Sequence, residues 1–381
     1  MPSPRRFRRK LRCSSCAWSA PLDRLFNLCP ECSLPLIVDF ELSAAPELRH
    51  AIRDRRPDTS RYFEVLPFDD ASELEGLGEG CTPLLPAHSL RTVGEVYFKD
   101  ESKNPTRSFK ARGMAVAVSM AKKLGAVSLG APTAGNAGCA LAAYGARARL
   151  PVFVAMPRDT PSSIVAEAAG FGAEVELVDG FITDCARVVQ ARLASSGGFE
   201  LSTLREPYRV EGKKLMGYEL LEDLGRLPDV ILYPTGGGTG LIGMWKAFDE
   251  MERLGWVDAR RPRLWSVQAE GCAPIVRAMD QGLDTAPAWE NPVTGAWGLR
   301  VPRAIGDRLM LRALRESGGG AIAVPEAEIE PAADRIRRSE GIDAGPETGA
   351  ALVALERLAQ MRLVRNDETI VVFNTGGNKY F

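Results

Sequence analysis

The residues able to do chemistry fall in a few short stretches. Cys13, Cys16, Cys29 and Cys32 are spaced C-x2-C-x12-C-x2-C. Each C-x-x-C is a short turn that aims two thiolates at one point, and two such turns complete the tetrahedral sulfur shell that zinc prefers. Four protein ligands leave no coordination position for a substrate, so the spacing reads as a structural metal site. A second stretch, 98–114 (FKDESKNPTRSFKARGM), offers Asn104-Pro105-Thr106 as a turn, Ser108 as an N-cap and Lys110 in the first helical turn. There the helix dipole disfavours an ammonium, and a partly neutral lysine is a nucleophile suited to Schiff-base chemistry with aldehydes, including pyridoxal phosphate. Spacing alone leaves open an ordinary solvated helix lysine.

Three further turns have the composition of ligand loops. In 233–248 (YPTGGGTGLIGMWKAF) a strand pattern runs into Gly236, Gly237, Gly238, Thr239 and Gly240, and then into a helical pattern. Backbone amides of such a loop, with a helix N-terminus behind them, cradle a phosphate without side-chain charge; a plain tight turn is the alternative. The loop lacks the Gly-Lys-Ser/Thr ending of a nucleoside triphosphate site. In 132–148 (PTAGNAGCALAAYGARA) small residues let backbone amides approach a carboxylate or a planar ring, and Asn136 offers a donor and an acceptor, or serves only as an N-cap. At the C-terminal end, FNTGGNKYF delivers Thr375 and two glycines from a strand pattern.

These turns need elements that bring them to one place. Short β-branched runs at 96–98, 127–129, 151–155, 175–178, 230–233, 264–268 and 369–373 alternate with helix-length stretches such as 136–149 and 162–170. Strands separated by helices argue for parallel sheets with right-handed crossovers, hence an α/β fold with ligands at the carboxyl ends of the strands. Thr160-Pro161 opens the 162–170 helix, and Gly170 and Gly172 close it. Residues 41–80, charged and Pro-containing, read as a connector with short helices.

A chain of 381 residues exceeds one compact core and implies two or three units. With 45% hydrophobic and 25% charged residues and no apolar run near the ~20 residues that span a bilayer, disorder and membrane insertion are excluded. The 48 basic residues nearly cancel the 49 acidic ones, so no global field draws the chain to nucleic acid or anionic lipid. Arg5, Arg6, Arg8, Arg9, Lys10 and Arg12 form a basic run that reads as a solvated leader. No apolar stretch follows it, so the expected location is the cytoplasm, where thiols stay reduced. Cys81, Cys139, Cys185 and Cys272 read as small buried hydrophobes, His50 and His88 as surface or capping residues, and Trp245, Trp256, Trp265 and Trp289 as core or interface residues.

In order along the chain, the four-cysteine knuckle, EGCTPL (79–84), NPTRSFKARG, TAGNAG, EPYRVEGKK (206–214), VQAEGC (267–272) and NTGGNKY resemble the fold-type II pyridoxal phosphate enzymes, and among them the threonine synthase family. The resemblance implies a tryptophan synthase β-like fold, with a zinc knuckle at 1–40, a large cofactor-binding α/β domain at 41–115 and 205–381, and a small α/β domain at 116–204. It implies a lyase acting on a carbon–oxygen bond to phosphate, which turns O-phospho-L-homoserine and water into L-threonine and phosphate. Its cofactors would be pyridoxal 5'-phosphate and a structural Zn2+. Its partners would be a small amino-acid substrate and a second copy of the chain, with no nucleic acid and no membrane.

On the same resemblance Lys110 would hold the cofactor and shuttle protons, and Asn136 would meet the ring hydroxyl. Gly236, Gly237, Gly238, Thr239 and Gly240 would receive the cofactor phosphate, and Thr375 would face the pyridine nitrogen. Thr133, Ala134 and Gly135 would meet the substrate carboxylate, and Arg209, helped by Lys213 or Lys214, would bind the substrate's phosphate. Arg107 in place of Gly, Ala111 in place of Asp, Leu215 in place of Thr and a GGGTG loop of the dehydratase kind depart from the family pattern. Two alternatives stand beside this reading. One is a related β-eliminating ammonia lyase or β-replacing synthase acting on a hydroxy, amino or phospho amino acid, with no need of a dianion pocket at Arg209. The other is a non-catalytic zinc-ribbon binding protein, which would not need Lys110 and its partners.

Overall fold

In the computed structural model, residues 7–89 and 93–377 are described. Arg5 and Arg6 of the basic run, and Asn378, Lys379 and Tyr380 of the C-terminal motif, lie outside them. Near the N-terminus β1 (Arg9–Cys13) lies between β2 (Ser19–Ala20) and β3 (Leu36–Phe40), antiparallel to both. The expectation of a solvated leader is therefore corrected for residues 9–12. Leu11 alternates with its polar neighbours as a half-buried strand requires, and the Arg9 guanidinium pairs with Asp69.

Two larger sheets follow. The first has the order β8 (Glu174–Val178), β7 (Val152–Pro157), β6 (Leu129–Pro132), β9 (Phe199–Glu200), all parallel. The second has the order β12 (Gly320–Val324), β11 (Arg263–Ala269), β10 (Val230–Pro234), β13 (Thr369–Asn374), β5 (Glu95–Asp100), β4 (Leu84–Pro86), parallel except for β4. Every residue of β7, β10 and β13 is buried, as expected of strands covered on both faces by helices. Among the described residues no helix is long and apolar enough to cross a membrane.

Within the second sheet the chain order reverses at β13, with β10 on one side and β5 on the other. Such a switch point opens a crevice at the carboxyl ends of the strands. Three of the turns singled out above leave β5, β13 and β10 at that end, while the Asn136 turn leaves β6 of the other sheet. The helix Lys110–Lys123 packs on both the Asn136–Ala148 and the Tyr208–Leu224 helices and runs unbroken through residue 115.

The expected strands differ mainly at their ends. The run placed at 127–129 forms its strand two residues later, leaving Val127 exposed. The connector holds a helix, Pro46–Arg53, and two 3-10 turns, Thr59–Val65 and Ala71–Glu73. His50 and His88 are exposed. Cys139, Cys185 and Cys272 are buried, whereas Cys81 is only partly so and lies 3.5 Å from Arg61 Nη1.

Candidate active site

The turn before Lys110 is held in an unusual backbone state. Thr106 and Arg107 both have positive φ, 58° and 54°, so two successive side-chain-bearing residues adopt the left-handed conformation. This explains why glycine suits position 107; arginine there carries roughly 1–2 kcal/mol of strain. Gly377 N donates to Arg107 O (3.0 Å), Ser108 bridges Gly376, and Phe109 N donates to Thr375 O (3.1 Å). The end of β13 thus braces the turn. The expected Ser108 cap does not form: Ser108 is extended, Phe109 occupies the cap position, and the Ser108 hydroxyl is buried without a hydrogen-bond partner among the described residues.

Two residues beyond Lys110, Arg112 fixes the helix start. Its fully buried guanidinium spans Glu101 (2.6 and 2.8 Å), Glu219 (2.5 and 2.7 Å) and Thr82 (3.0 Å). Lys99 adds an ion pair to Glu219 at 2.9 Å. A buried charge network of this kind is satisfied only in one arrangement, so it locates Lys110 closely.

Burial lowers the Lys110 pKa to about 7, assisted by repulsion from Arg209 and opposed by Glu347. Desolvation and a neighbouring cation, rather than the helix dipole alone, thus account for its neutrality. The Phe109 ring lies under two cations, with Lys110 Nζ 3.8 Å and Lys213 Nζ 4.5 Å from its centroid. Lys213 Nζ donates to Thr239 Oγ1, which ties this group to the glycine loop. Burial, Arg209 and Lys110 drive the Lys213 pKa well below its ordinary value.

Arg209 is 1% exposed. Its Nη1 donates to Leu201 O (3.0 Å) and Thr203 Oγ1 (3.3 Å), while Nε and Nη2 find no hydrogen-bond partner among the described residues. Glu206 accepts from Tyr208 N (2.7 Å) and Arg209 N (3.0 Å), and burial pushes its pKa up to about 7. Lys110, Arg209 and Lys213, three groups able to carry positive charge, therefore lie within electrostatic reach of one another with Glu206 and Glu347 as counter-charges, an arrangement that favours an arriving anion.

Lys214 is not brought there. Its ammonium pairs with Glu211 (2.7 Å) and Glu250 (2.8 Å) on the opposite side of the helix, 4.2 Å from the Phe40 ring centroid. Adjacent positions on a helix do not face the same way, so Lys213 and Lys214 cannot both reach the pocket.

The remaining predicted residues lie around the crevice. Asn136 opens its helix with Gly135 at the cap position, and its buried Oδ1 has no hydrogen-bond partner among the described residues. A Cβ on Gly376 would stand 3.4 Å from Asn136 Nδ2, placing Asn136 beside the end of β13. Thr133 N is spent on Ala155 O (3.0 Å), and Gly135 N donates to Thr133 Oγ1 (3.2 Å). The Thr133 hydroxyl also donates to Gly135 O (3.3 Å), and Ala134 and Gly135 are half-buried. Thr375 is buried, following β13.

In the loop after β10, Gly238 has φ 76°, and a Cβ there would fall 2.0 Å from Met310 Sδ; at Gly240 it would fall 1.9 Å from the Tyr233 hydroxyl. Side chains are excluded, which leaves backbone N–H groups and Thr239 to line the loop. These features fit pyridoxal phosphate: a partly buried lysine whose pKa is lowered to about 7, a side-chain-free cradle at a helix start, and the polar atoms Asn136 Oδ1 and Ser108 Oγ, unpartnered among the described residues.

The four cysteine Sγ atoms all lie within 4.8 Å of one another, with Cys13 to Cys32 at 3.4 Å and Cys16 to Cys29 at 3.5 Å. Thiolates around tetrahedral zinc stand roughly 3.8 Å apart for Zn–S of about 2.3 Å, so the cluster fits that ion. No disulfide is formed among the described residues. Ser15 N and Cys16 N donate to Cys13 Sγ, each at 3.4 Å.

Sequence reasoning passed over Phe109, Thr203, Glu206 and Glu347. Glu206 carried a signal, an acid beside a proline at the start of the Tyr208 helix. Glu347 carried none, because its carboxylate reaches Lys110 through tertiary packing alone.

Comparison with known proteins agrees with this geometry. Residues 76–376 match the family described as pyridoxal-phosphate dependent enzyme. The chain is 33% identical over 371 residues to threonine synthase of Methanosarcina acetivorans, covering 96% of this chain and 91% of that protein. It is 33% identical over 372 residues to threonine synthase of Methanocaldococcus jannaschii, with the same coverage. Among solved structures, maize serine racemase superposes with a TM-score of 0.66 at 20% identity, covering 78% of this chain and 88% of that one. Serine racemase from Dictyostelium discoideum superposes with a TM-score of 0.66 at 22% identity, covering 78% and 92%. At such identities the structural likeness speaks for the fold alone, while the sequence matches speak for the group. The chain belongs to the pyridoxal-phosphate dependent enzyme family and, within it, to the threonine synthases.

Proposed function

We propose that this chain converts O-phospho-L-homoserine and water into L-threonine and phosphate. The observation that carries the reading is the Arg209 guanidinium, buried with two N–H groups unpartnered among the described residues, beside Lys213 and Lys110. Two parallel N–H groups form a fork for two oxygens of one phosphate, and their desolvation is compensated only when an anion arrives.

Pyridoxal phosphate, which Lys110, Asn136, Thr375 and the 236–240 loop would hold, would supply an electron sink that acidifies the substrate's Cα and Cβ protons. Lys110, neutral near pH 7, takes the Cα proton and then serves the β position from the same place. Arg209 and Lys213 hold the phosphate as the Cγ–O bond breaks, so all four of its oxygens leave with it. A proton goes to Cγ, which becomes the methyl group; water adds at Cβ, and Lys110 returns a proton to Cα. Thr133 Oγ1, Ala134 and Gly135 hold the substrate carboxylate. We infer that Cys13, Cys16, Cys29 and Cys32 hold zinc, remote from this chemistry.

Turnover in 18O-labelled water tests the reaction. Label is expected in the hydroxyl of threonine and not in the phosphate released at that step. Label in the phosphate would mean cleavage of the P–O bond, as in simple hydrolysis, and would overturn the proposal.

A further inference from the structure

The turn that holds Arg209 is itself held from the cysteine knuckle. β9 ends at Glu200, Leu201 N still donates to Gly130 O (2.8 Å), and the chain then turns sharply, with Arg205 N on Ser202 O (3.2 Å) and Leu204 at a positive φ of 57°. Leu201 O and Thr203 Oγ1, the acceptors of Arg209 Nη1, both lie in this turn. So does a wall of the glycine loop, since a Cβ on Gly237 would stand 2.6 Å from Thr203 Cγ2. A turn with a non-glycine residue in the left-handed region persists only where its surroundings over-determine it.

The constraint comes from Asn27. Its Nδ2 donates to Glu200 O and to Arg205 O, both at 2.8 Å, so one amide group closes the two ends of the turn with its two hydrogens. Asn27 stands two residues before Cys29, and Cys29 N donates to Leu34 O (2.9 Å). The knuckle thereby delivers this amide from a segment more than 170 residues away in sequence.

We propose that Asn27 is a positioning residue for the substrate-phosphate pocket: by clamping Glu200 O and Arg205 O it sets the turn that aims the Arg209 guanidinium. This rests on the reading of Arg209 given above. Asn27 touches no substrate; it acts through Leu201, Thr203 and Arg209. The knuckle then serves as a brace for substrate binding as well as a fold element.

The test compares Asn27→Ala and Asn27→Asp with wild-type holoenzyme. Aspartate keeps the size of asparagine but donates no hydrogen bond to a carbonyl. Both variants are expected to raise KM for O-phosphohomoserine roughly five- to tenfold, to keep kcat within about twofold, and to weaken binding of inorganic phosphate measured by calorimetry by a similar factor. Zinc content and cofactor absorbance should stay at wild-type values. Arg253→Gln cuts a different tie of the same knuckle, to Phe40 O (2.6 Å), and should leave KM unchanged. Adding Asn27→Ala to Arg209→Ala should change KM no further. Wild-type KM and phosphate affinity in both Asn27 variants, with Arg209→Ala impaired, would overturn the proposal and leave the Arg209 reading intact. An Arg209→Ala enzyme with wild-type KM and kcat would overturn both. Equal KM rises in the Asn27 and Arg253 variants would assign the effect to general loosening of the knuckle and refute the specific role.

Discussion

Replacing Arg209 by glutamine removes a buried charge that does two things at once. Its Nε and Nη2, unpartnered among the described residues, are the groups proposed to hold the substrate's phosphate, and its charge helps to hold the Lys110 pKa down to about 7. A hydrogen bond to a charged group is worth roughly 1.5–3 kcal/mol, so two give about 3–6 kcal/mol. The lower half of that range applies, because Lys213 remains in place and, with the Arg209 charge gone, takes up a proton more readily as the anion arrives. At about 1.4 kcal/mol per tenfold, kcat/KM for O-phosphohomoserine should fall by roughly two to three orders of magnitude. The second effect has a definite sign. Lys110 attacks the cofactor aldehyde only as the neutral amine, present above its pKa and lost as pH falls through it. In the wild-type apoprotein the rate of cofactor attachment should therefore rise with pH up to about 7 and level off. In Arg209→Gln the plateau should move to higher pH, because a repelling cation is gone. Stopped-flow absorbance of the apoprotein mixed with pyridoxal phosphate gives the attachment profile, and coupled phosphate release gives kcat/KM. A loss of less than tenfold in kcat/KM would rule out Arg209 as a phosphate ligand, and an unmoved attachment profile would rule out its charge as a determinant of the Lys110 pKa.

Lys110→Ala should abolish both the cofactor's visible absorbance and turnover, read by spectrum and product assay on one preparation. Lys214→Met should leave KM for the substrate unchanged but lower stability by about 3 kcal/mol or more in denaturant titration, since it strands Glu211 and Glu250 beside Lys246 alone. Replacing Cys13 and Cys29 together by serine should remove one equivalent of zinc by metal analysis and lower Tm, with the folded remainder retaining cofactor. Burial would raise the Glu219 pKa, but Arg112 and Lys99 outweigh it and hold it down to about 2. This carboxylate therefore adds stability that is complete above its ordinary value of 4.5 and is lost as pH falls from there toward 2. Arg112→Met should move acid unfolding, followed by circular dichroism, to higher pH.

Much of this architecture was legible because strands and turns are local. The β-branched runs at 230–233 and 369–373 found β10 and β13, and the glycine loop announced its own conformation. Other elements were not legible. β12, Gly320–Val324, is a short glycine-led run with alanines at two of its five positions, whose pairing with β11 decides its state, and β9 is two residues long. At the site, spacing singled out Lys110 as a candidate and the family resemblance added Arg209, but neither could tell Lys213 from Lys214; the helical phase sends one to Thr239 and the other to Glu250. Ser108 misled as a cap because the Thr106–Arg107 turn, forced by contacts with β13, extends the chain through it. The basic run misled because strand pairing with β3 is a long-range event that charge alone does not report.

If the groups around Arg209 and Lys110 serve elimination of a substrate phosphate followed by hydration, the choice of substrate reveals it. The decisive assay incubates purified holoenzyme separately with O-phospho-L-homoserine, L-serine and L-threonine and quantifies phosphate, threonine, ammonia and 2-oxo acids. Threonine and phosphate are expected in equal amounts from O-phosphohomoserine, with no comparable ammonia from serine or threonine. Ammonia and a 2-oxo acid from serine or threonine, with O-phosphohomoserine left untouched, would contradict it.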